Sequence, residues 1–348
     1  MSEPPSGGMS RRDVLVGAAA AAAGITALTA AGSRAHSAVG SIQQAAMSDA
    51  FLGASATRGI VGLSRDPAVF DAQGRVRPNG VQSLLDQALK GATGAPDATM
   101  ALTALFKPSD VVGIKLSCLP GRGLSTHAEL VDALIARLVA AGVRADNIIV
   151  WDRSDRDLRR AGFPLRRSGS GPLYFGTNDD YENEPIEAGS VGGCLSKILT
   201  RKVTAIVNVP VLKDHDLAGI SGALKSFYGA IHNPNKYHDN NCSPYVADLY
   251  AYPTIRNKVR LTVFDALEPQ YQGGPAWVPA NCWRMSGVFA STDPVAADAT
   301  ALKIIAAKRL EMGIESLEQA KRAPLWLPQA QALGLGVADL SRVKEVTP

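Results

Sequence analysis

The feature of this sequence that most constrains its fold is an alternation of short β-rich runs with helical patterns, which begins at about residue 58. The clearest example lies at residues 111–151. Val111–Leu116 is typical of a buried strand, the apolar residues of Leu130–Val139 recur at helical spacing, and Asn147–Trp151 predicts a returning strand. Two parallel strands joined through a helix form a βαβ unit with a right-handed crossover.

The same alternation continues to about residue 310. It predicts strands at Thr204–Val209, Arg260–Phe264 and Gly287–Ala290, and helices at Leu217–Ile231 and Pro294–Leu310. Residues 153–195 keep no sustained period and predict a long excursion from the sheet. We therefore expect an α/β fold, a mainly parallel sheet with helices on both faces, βαβ units and one long irregular excursion, in a single domain over residues 36–348.

The first 35 residues have the pattern of an export signal. Arg11 and Arg12 precede an uncharged stretch from Val14 to Ala31, which predicts a twin-arginine signal peptide with cleavage after Ala35 or a few residues later. The stretch is rich in Ala and Gly and only weakly apolar, so we expect no stable membrane span. The expected partner is the twin-arginine export machinery, which carries folded proteins. The expected location is periplasmic or extracellular. Proteins that use this route often have a cofactor inserted before export, so the route is also a hint of a cofactor.

Charge and missing motifs exclude several classes of protein. The chain has 36 Lys and Arg against 32 Asp and Glu, a net charge of +4, so we expect no nucleic-acid partner. The sequence contains no Gly-x-Ser-x-Gly elbow, no dinucleotide-binding fingerprint and no Gly-Lys-Ser/Thr ending of a nucleotide-binding loop. A serine hydrolase, a nicotinamide-linked dehydrogenase and a nucleoside triphosphatase therefore find no support.

Polar side chains gather where the predicted strands end. Ligands of open α/β sheets bind beyond the carboxyl ends of the strands, where the loops converge. The candidate side chains in these loops are Lys115, His127, Lys213, His215, Lys225, Asp265 and Asp293. We expect them to surround one cleft.

Two histidines in these loops are candidates for acid–base catalysis. Thr126 and Glu129 have capping-box spacing, which would place His127 at the first position of a helix, either as a catalytic group or as an exposed first-turn residue. His215 lies between two aspartates. A carboxylate beside an imidazole fixes its tautomer and raises its basicity, so His215 is the better candidate.

The lysines and remaining aspartates predict an anion or cofactor site. Lys213 and Lys225 flank the start of the predicted helix at residue 217, whose free N–H groups could hold a carboxylate or phosphate together with the two amines. The alternative is that both lysines are solvated. Lys115, Asp265 and Asp293 are candidates for cofactor binding, although Asp293 also has the position of a helix cap.

One further loop carries possible metal ligands. His232, His238 and Cys242 have side chains that suit a transition metal such as Zn, Fe or Cu, although an ordinary surface loop accounts for them as well. The chain has 4 Cys, which an oxidising compartment could pair in three ways, and one of them could instead be a ligand or a nucleophile.

Several motifs, taken in order, resemble the domain-of-unknown-function family 362 (DUF362). The resemblance covers about residues 110–305, and its motifs are Ile114–Lys115, Thr126–Val131, Val207–His215, Gly222–Gly229 and Ala290–Asp298. Many members have Asn where this chain has Ser117 and Ser226. Some members carry ferredoxin-type cysteine clusters, but this chain has no Cys-x-x-Cys, so the resemblance implies no iron–sulfur cluster here.

The sequence therefore supports two functional hypotheses. The first is an exported metal- or cofactor-dependent enzyme that acts on a small anionic substrate, with redox chemistry among the open reaction types. In it the imidazoles hold the cofactor or move a proton and the lysines bind the anion. The second is a periplasmic binding or accessory protein that captures a small anion or a metal without reaction.

Overall fold

Short apolar runs form the strands of one large sheet, from which only the hairpin at residues 186–193 is separate, in the computed structural model, which describes residues 58–348. The strands are β1 Gly59–Arg65, β2 Val112–Lys115, β3 Ile148–Trp151, β4 Leu173–Tyr174, β5 Ile186–Ala188, β6 Val191–Gly193, β7 Ala205–Asn208, β8 Val211–His215, β9 Gly219–Ile220, β10 Val259–Gln270, β11 Gly287–Ser291 and β12 Val343–Val346. The helices are α1 Pro78–Thr93, α2 Ala98–Leu105, α3 Ala128–Ala140, α4 Asp155–Ala161, α5 Tyr245–Ala251, α6 Pro294–Glu311 and α7 Trp326–Ala332, with short helical turns at Asp239–Cys242 and Pro253–Arg256.

The sheet is mainly parallel. Its order is β12-β1-β11-β10-β7-β2-β3-β4, with β8 paired to β10 and β9 to β8. Strands β4, β3, β2, β7 and β10 run in one direction. Strand β11 is antiparallel to both of its neighbours, β10 and β1. The predicted α/β class is confirmed, with one reversed strand in the middle of the sheet.

The predicted βαβ unit is present at the centre. Strands β2 and β3 pair in parallel, from Val112 opposite Ile148 to Lys115 opposite Trp151, and α3 connects them. Every residue of both strands is buried. Burial of both faces is typical of a parallel sheet covered by helices and explains why these strands are continuous apolar runs.

Alternate residues of the strands feed two cores on opposite faces of the sheet. In β10, Leu261 and Val263 pack in the cluster that contains the buried faces of α1, α2 and α3. Phe264 points the other way and stacks on Phe289 of β11, with ring centroids 4.5 Å apart, in the cluster that contains Val295 of α6. The period-2 pattern of the strands thus places helices on both faces, as predicted.

A break in one strand carries the chain to the edge of the sheet where the cleft lies. Strand β7 pairs with β2 and with the first half of β10, and β8 continues along the second half of β10, with Asp265 opposite Val211. Between them Val209 N donates to Lys115 O at 2.8 Å, and Pro210 O accepts from Asp265 N at 2.9 Å. This arrangement places all of β8 beyond the carboxyl end of β2.

Two sequence-based expectations of helical structure are wrong. Leu217–Ile231 is not a helix: β9 pairs with β8 at its start, and Lys225–Ala230 is a 3₁₀ turn. Gly219 and Gly222 have φ of +76° and +66°, a left-handed conformation that ends helices.

The predicted capping box does not form either. His127, not Thr126, precedes the first helical residue of α3, and Thr126 Oγ1 donates to Val209 O at 2.9 Å. The backbone N–H of His127 instead donates to Asp265 Oδ2 at 2.7 Å. A carboxylate distant in sequence replaces the local cap that the spacing predicted.

The excursion predicted at residues 153–195 exists and holds small elements of its own, namely α4, β4 and the hairpin of β5 and β6.

Within residues 58–348, no helix has the length and apolarity needed to cross a membrane. The predicted signal peptide over residues 1–35, with its Arg11–Arg12 pair and its cleavage after Ala35, lies outside the described residues.

Candidate functional site

A cavity of about 490 Å³ lies at the carboxyl ends of β2, β3 and β8. Three buried lysines, Lys115, Lys213 and Lys225, line it together with His215 and His238. All five were predicted as site residues, and the structure brings them together. The loops of a parallel sheet converge at this edge, which is the reason the sequence could place these residues.

Lys115 has a carboxylate partner inside the cavity wall. It ends β2, and Asp152 follows β3, so the two adjacent parallel strands set them side by side. Lys115 Nζ donates to Asp152 Oδ1 at 2.6 Å and to Leu116 O at 2.7 Å. Asp152 Oδ2 accepts from Cys118 N at 2.7 Å. The charge of this lysine is therefore balanced, as a buried ammonium requires.

Lys213, from β8, has a hydroxyl partner only. Its Nζ donates to Ser117 Oγ at 2.7 Å, and no hydrogen bond to a carboxylate is found for it in the described chain. Burial, assisted by the positive charges of Lys225 and Lys115, lowers the pKa of Lys213 to about 8, although Asp152 acts in the opposite direction. Its ammonium form is destabilised because nothing in contact with it carries a negative charge.

Lys225 lies between two imidazoles. Its Nζ is 3.0 Å from His215 Nε2 and 3.2 Å from His238 Nε2, and 4.6 Å from the ring centroid of Tyr228. Burial lowers the pKa of Lys225 to about 8. A substantial fraction of this amine is therefore uncharged at mildly alkaline pH.

Both imidazoles in contact with Lys225 are held neutral. Burial, followed by the charge of Lys225, lowers the pKa of His215 to about 2, and the same two causes lower the pKa of His238. His215 Nδ1 accepts from the backbone N–H groups of Leu217 and Ala218 at 3.1 and 3.3 Å. These two backbone contacts fix the orientation of the His215 ring.

His127 and Asp265 form a separate pair outside the cavity wall. Asp265 Oδ2 lies 2.8 Å from His127 Nδ1, and the Asp265 side chain is 1% exposed. Burial opposes the charge on each, but the attraction between them outweighs it, raising the pKa of His127 to about 9 and lowering the pKa of Asp265. The pair ties the start of α3 to β10, and neither of these two predicted site residues is part of the cavity wall.

Asp293 is not at this edge of the sheet, contrary to the prediction. It follows β11, whose reversed direction brings its carboxyl end to the level of Thr262, whereas β8 continues past Asp265. Its Oδ1 accepts from the N–H groups of Val295 and Ala296 at 2.9 Å and caps α6. The expectation failed because it assumed a strand parallel to its neighbours.

Two backbone amides near Gly222, among those expected to hold an anion, have an internal partner. The carboxylate of Asp298, on α6, accepts from Ala223 N and from Leu224 N. Burial raises the pKa of Asp298 to about 7, although these two hydrogen bonds act in the opposite direction. These two amides are therefore not available to an anion in the cavity.

The three predicted metal ligands are not brought together. The ring of His232 packs edge-on against Tyr181 with centroids 5.3 Å apart, while His238 faces Lys225. Cys242 is buried, with Sγ 4.0 Å from His238 O. From residue 58 onward, no group of three or more His, Cys, Asp or Glu side chains could hold a metal ion. All four cysteines are free thiols.

Asp152 and Tyr228 are among the residues of the cavity wall that sequence reasoning missed. Asp152 directly follows the strand predicted at residues 147–151, so the rule that located Lys115 could have located it as well. Tyr228, whose ring lies under Lys225, falls in a segment that was expected to be helical. The 3₁₀ turn that places it there leaves no periodic signal in the sequence.

Comparisons with known proteins identify the family of this chain. A family model described as Domain of unknown function (DUF362) matches residues 112–303. No curated protein matches the chain. A crystal structure of a structural-genomics protein from Thermotoga maritima is similar with a TM-score of 0.42 and 11% identity, over 67% of this chain and 59% of that one. The chain therefore spans less than two thirds of that protein's length.

Proposed function

This chain belongs to the DUF362 family, and we propose that its cleft binds a small anionic substrate, bearing a carboxylate or a phosphate, on which the protein acts as an enzyme. The observation that carries the proposal is the pair Lys213 and Lys225. Both amines are buried in the cavity wall, and neither has a hydrogen bond to a carboxylate in the described chain. A bound anion would supply the missing negative charge.

The enzymatic part of the proposal rests on His215, His238 and Lys225. Perturbed titrating groups in contact with one another inside a cavity are typical of catalytic sites. An amine that is partly uncharged near pH 8, beside two neutral imidazoles, can accept a proton from a substrate or pass one to it. A binding protein for the same anion would share the lysines but would release its ligand unchanged.

A metal does not enter the steps of this proposal. The sequence favoured a metal- or cofactor-dependent enzyme, but His232 packs against Tyr181 whereas His238 contacts Lys225, so the three predicted ligands form no common site. Within the part of the chain that the structure describes, no other set of three ligands is available. The chemistry we assign to the cleft is therefore that of amines and imidazoles alone.

Calorimetric titration with oxalate and with inorganic phosphate tests the proposal. The native protein should bind at least one of these anions, and Lys213→Met should weaken binding about tenfold or more, the loss expected for a charged hydrogen bond. Lys344→Met is the matched control because Lys344 is exposed on β12. Equal binding by native protein and Lys213→Met would refute the proposal.

We also propose that the protein is exported through the twin-arginine route to the periplasm or beyond. The support is the Arg11–Arg12 pair before an uncharged stretch that is rich in Ala and Gly. Changing both arginines to lysine should retain the protein in the cytoplasm. Unchanged export of that variant would refute this assignment.

A further inference from the structure

Hydrogen-bond partners define the tautomer of each imidazole at Lys225. His238 Nδ1 lies 3.1 Å from Pro234 O, and because a carbonyl oxygen only accepts, this nitrogen carries the proton of the neutral ring. His238 Nε2, at 3.2 Å from Lys225 Nζ, is then a lone pair. Lys225 must donate to it.

The other imidazole has the opposite tautomer. His215 Nδ1 accepts from two backbone N–H groups, at Leu217 and Ala218, so the proton of the neutral ring is on Nε2. Asp216 Oδ1 lies 2.9 Å from the same Nδ1, but the Asp216 side chain is 62% exposed and solvated, whereas the two amides are fixed by the backbone. His215 Nε2–H therefore points at Lys225 Nζ, 3.0 Å away.

With these tautomers, only the uncharged form of Lys225 can satisfy both contacts. An ammonium has three donors and no acceptor, so it cannot accept from His215 Nε2–H. A neutral amine satisfies both rings, because it accepts from His215 and donates to His238. The same amine lines the cavity, together with Lys213. In its uncharged form, Lys225 is therefore a nucleophile beside a second basic group.

We propose that Lys225 forms an imine with the carbonyl carbon of a small oxo acid, which Lys213 holds by its carboxylate. This inference rests on the proposed anion-binding function and names its substrate class. A carboxylate next to a ketone or aldehyde places negative charge and an electrophilic carbon within one small molecule. Lys213, which donates only to Ser117 Oγ, matches the first feature, and the lone pair of Lys225 matches the second.

The step balances without an oxidant or a reductant. The lone pair of Lys225 Nζ forms a bond to the carbonyl carbon, and Nζ passes one proton through His238 Nε2 to the carbonyl oxygen, which becomes a hydroxyl. Nζ then passes its second proton by the same route to the hydroxyl as that group leaves. The C–O bond breaks, one water is released, and a C=N bond remains. His238 is placed for this exchange because its Nε2 already accepts from Nζ.

Reductive trapping with pyruvate tests the inference. The full chain is incubated with pyruvate and sodium borohydride, digested, and mapped by mass spectrometry. We expect a mass gain of one pyruvate less one oxygen atom on the peptide that contains Lys225, and none there in Lys225→Met or Lys225→Arg. The arginine variant keeps a positive charge but offers no amine, so it serves if the methionine variant does not fold. Labelling of the exposed Lys344 measures the non-specific background.

L-Lactate separates failure of this inference from failure of the anion proposal, because it carries the carboxylate without the carbonyl. If lactate and pyruvate bind but Lys225 is labelled no more than Lys344, the imine is wrong and the anion site stands. If neither acid binds and no adduct forms, both proposals fail. Adduct formation that Lys213→Met leaves unchanged would overturn the assignment of the carboxylate to Lys213.

Discussion

Two groups of basic side chains lie near the same edge of the sheet and differ in whether a carboxylate contacts them. His127 is in contact with the carboxylate of Asp265, whereas Lys213 and Lys225 are in contact with a hydroxyl and with imidazoles. The pKa of the paired group is raised, and the pKa values of both unpaired amines are lowered. Charge pairing thus separates a residue with a carboxylate partner inside the fold from the residues for which we propose an anionic ligand.

The largest expected effect follows from removing the carboxylate of the paired group. Asp265→Asn leaves His127 without its counter-charge, and breaking a buried pair in this way costs about 3 kcal/mol or more of unfolding free energy. Urea denaturation at pH 7 measures the loss. The folded variant should still bind oxalate as the native protein does, because neither residue of the pair lines the cavity. A loss below about 1 kcal/mol would contradict the structural role.

The pH dependence of stability should have opposite signs in the two groups. The folded-state pKa of His127 is raised to about 9, so its contribution is complete below the unfolded value of 6.5 and is lost as the pH rises to about 9. Its full size is on the order of 3 kcal/mol. The folded-state pKa values of Lys213 and Lys225 are lowered to about 8, so their penalty is complete below that pH and disappears as the pH approaches 10.5.

Urea denaturation from pH 6 to pH 10 checks both signs. His127→Gln should remove the decline in stability between pH 6.5 and 9, and Lys213→Met should remove part of the rise above pH 8. Identical pH profiles for the native protein and His127→Gln would show that the pair with Asp265 is not charged.

A smaller effect is expected from substituting an unpaired amine. Such a substitution should change the stability and the anion affinity in opposite directions. Lys213→Met removes a buried charge that has no carboxylate in contact, so the unfolding free energy at pH 7 should stay equal or rise. Oxalate affinity should fall about tenfold, which is about 1.4 kcal/mol. Loss of stability comparable to that of Asp265→Asn would mean that the two groups do not differ as described.

Much of the fold and part of the site could be predicted from the sequence. The carboxyl-edge rule needs only the strand ends, and it placed Lys115, Lys213 and His215 in one cavity wall. It failed for Asp293 because the period of an apolar run does not reveal whether β11 runs parallel or antiparallel to its neighbours. Long-range partners were also beyond reach: nothing near His127 in the sequence indicates that Asp265 would replace its cap.

The spacing of His232, His238 and Cys242 also failed to predict which residues share a site. Residues close in sequence were expected to share a metal, but the turns between them send His232 toward Tyr181 and His238 toward Lys225. Asn233 and Asn240 both have positive φ, so the chain changes direction between the candidate ligands. Such turns depend on backbone conformation that residue spacing alone does not specify.

The most direct test of the central claim, that Lys213 and Lys225 form an anion site with missing negative charge, is the number of protons taken up on anion binding. Oxalate is suitable because it cannot form an imine. Calorimetric titration at pH 8.5 in buffers of different ionisation enthalpy gives this number. With both pKa values at about 8, a bound anion raises them and should draw in a substantial fraction of a proton or more. Uptake should be reduced in Lys213→Met and unchanged in Lys344→Met. Oxalate binding without proton uptake by the native protein would contradict the account.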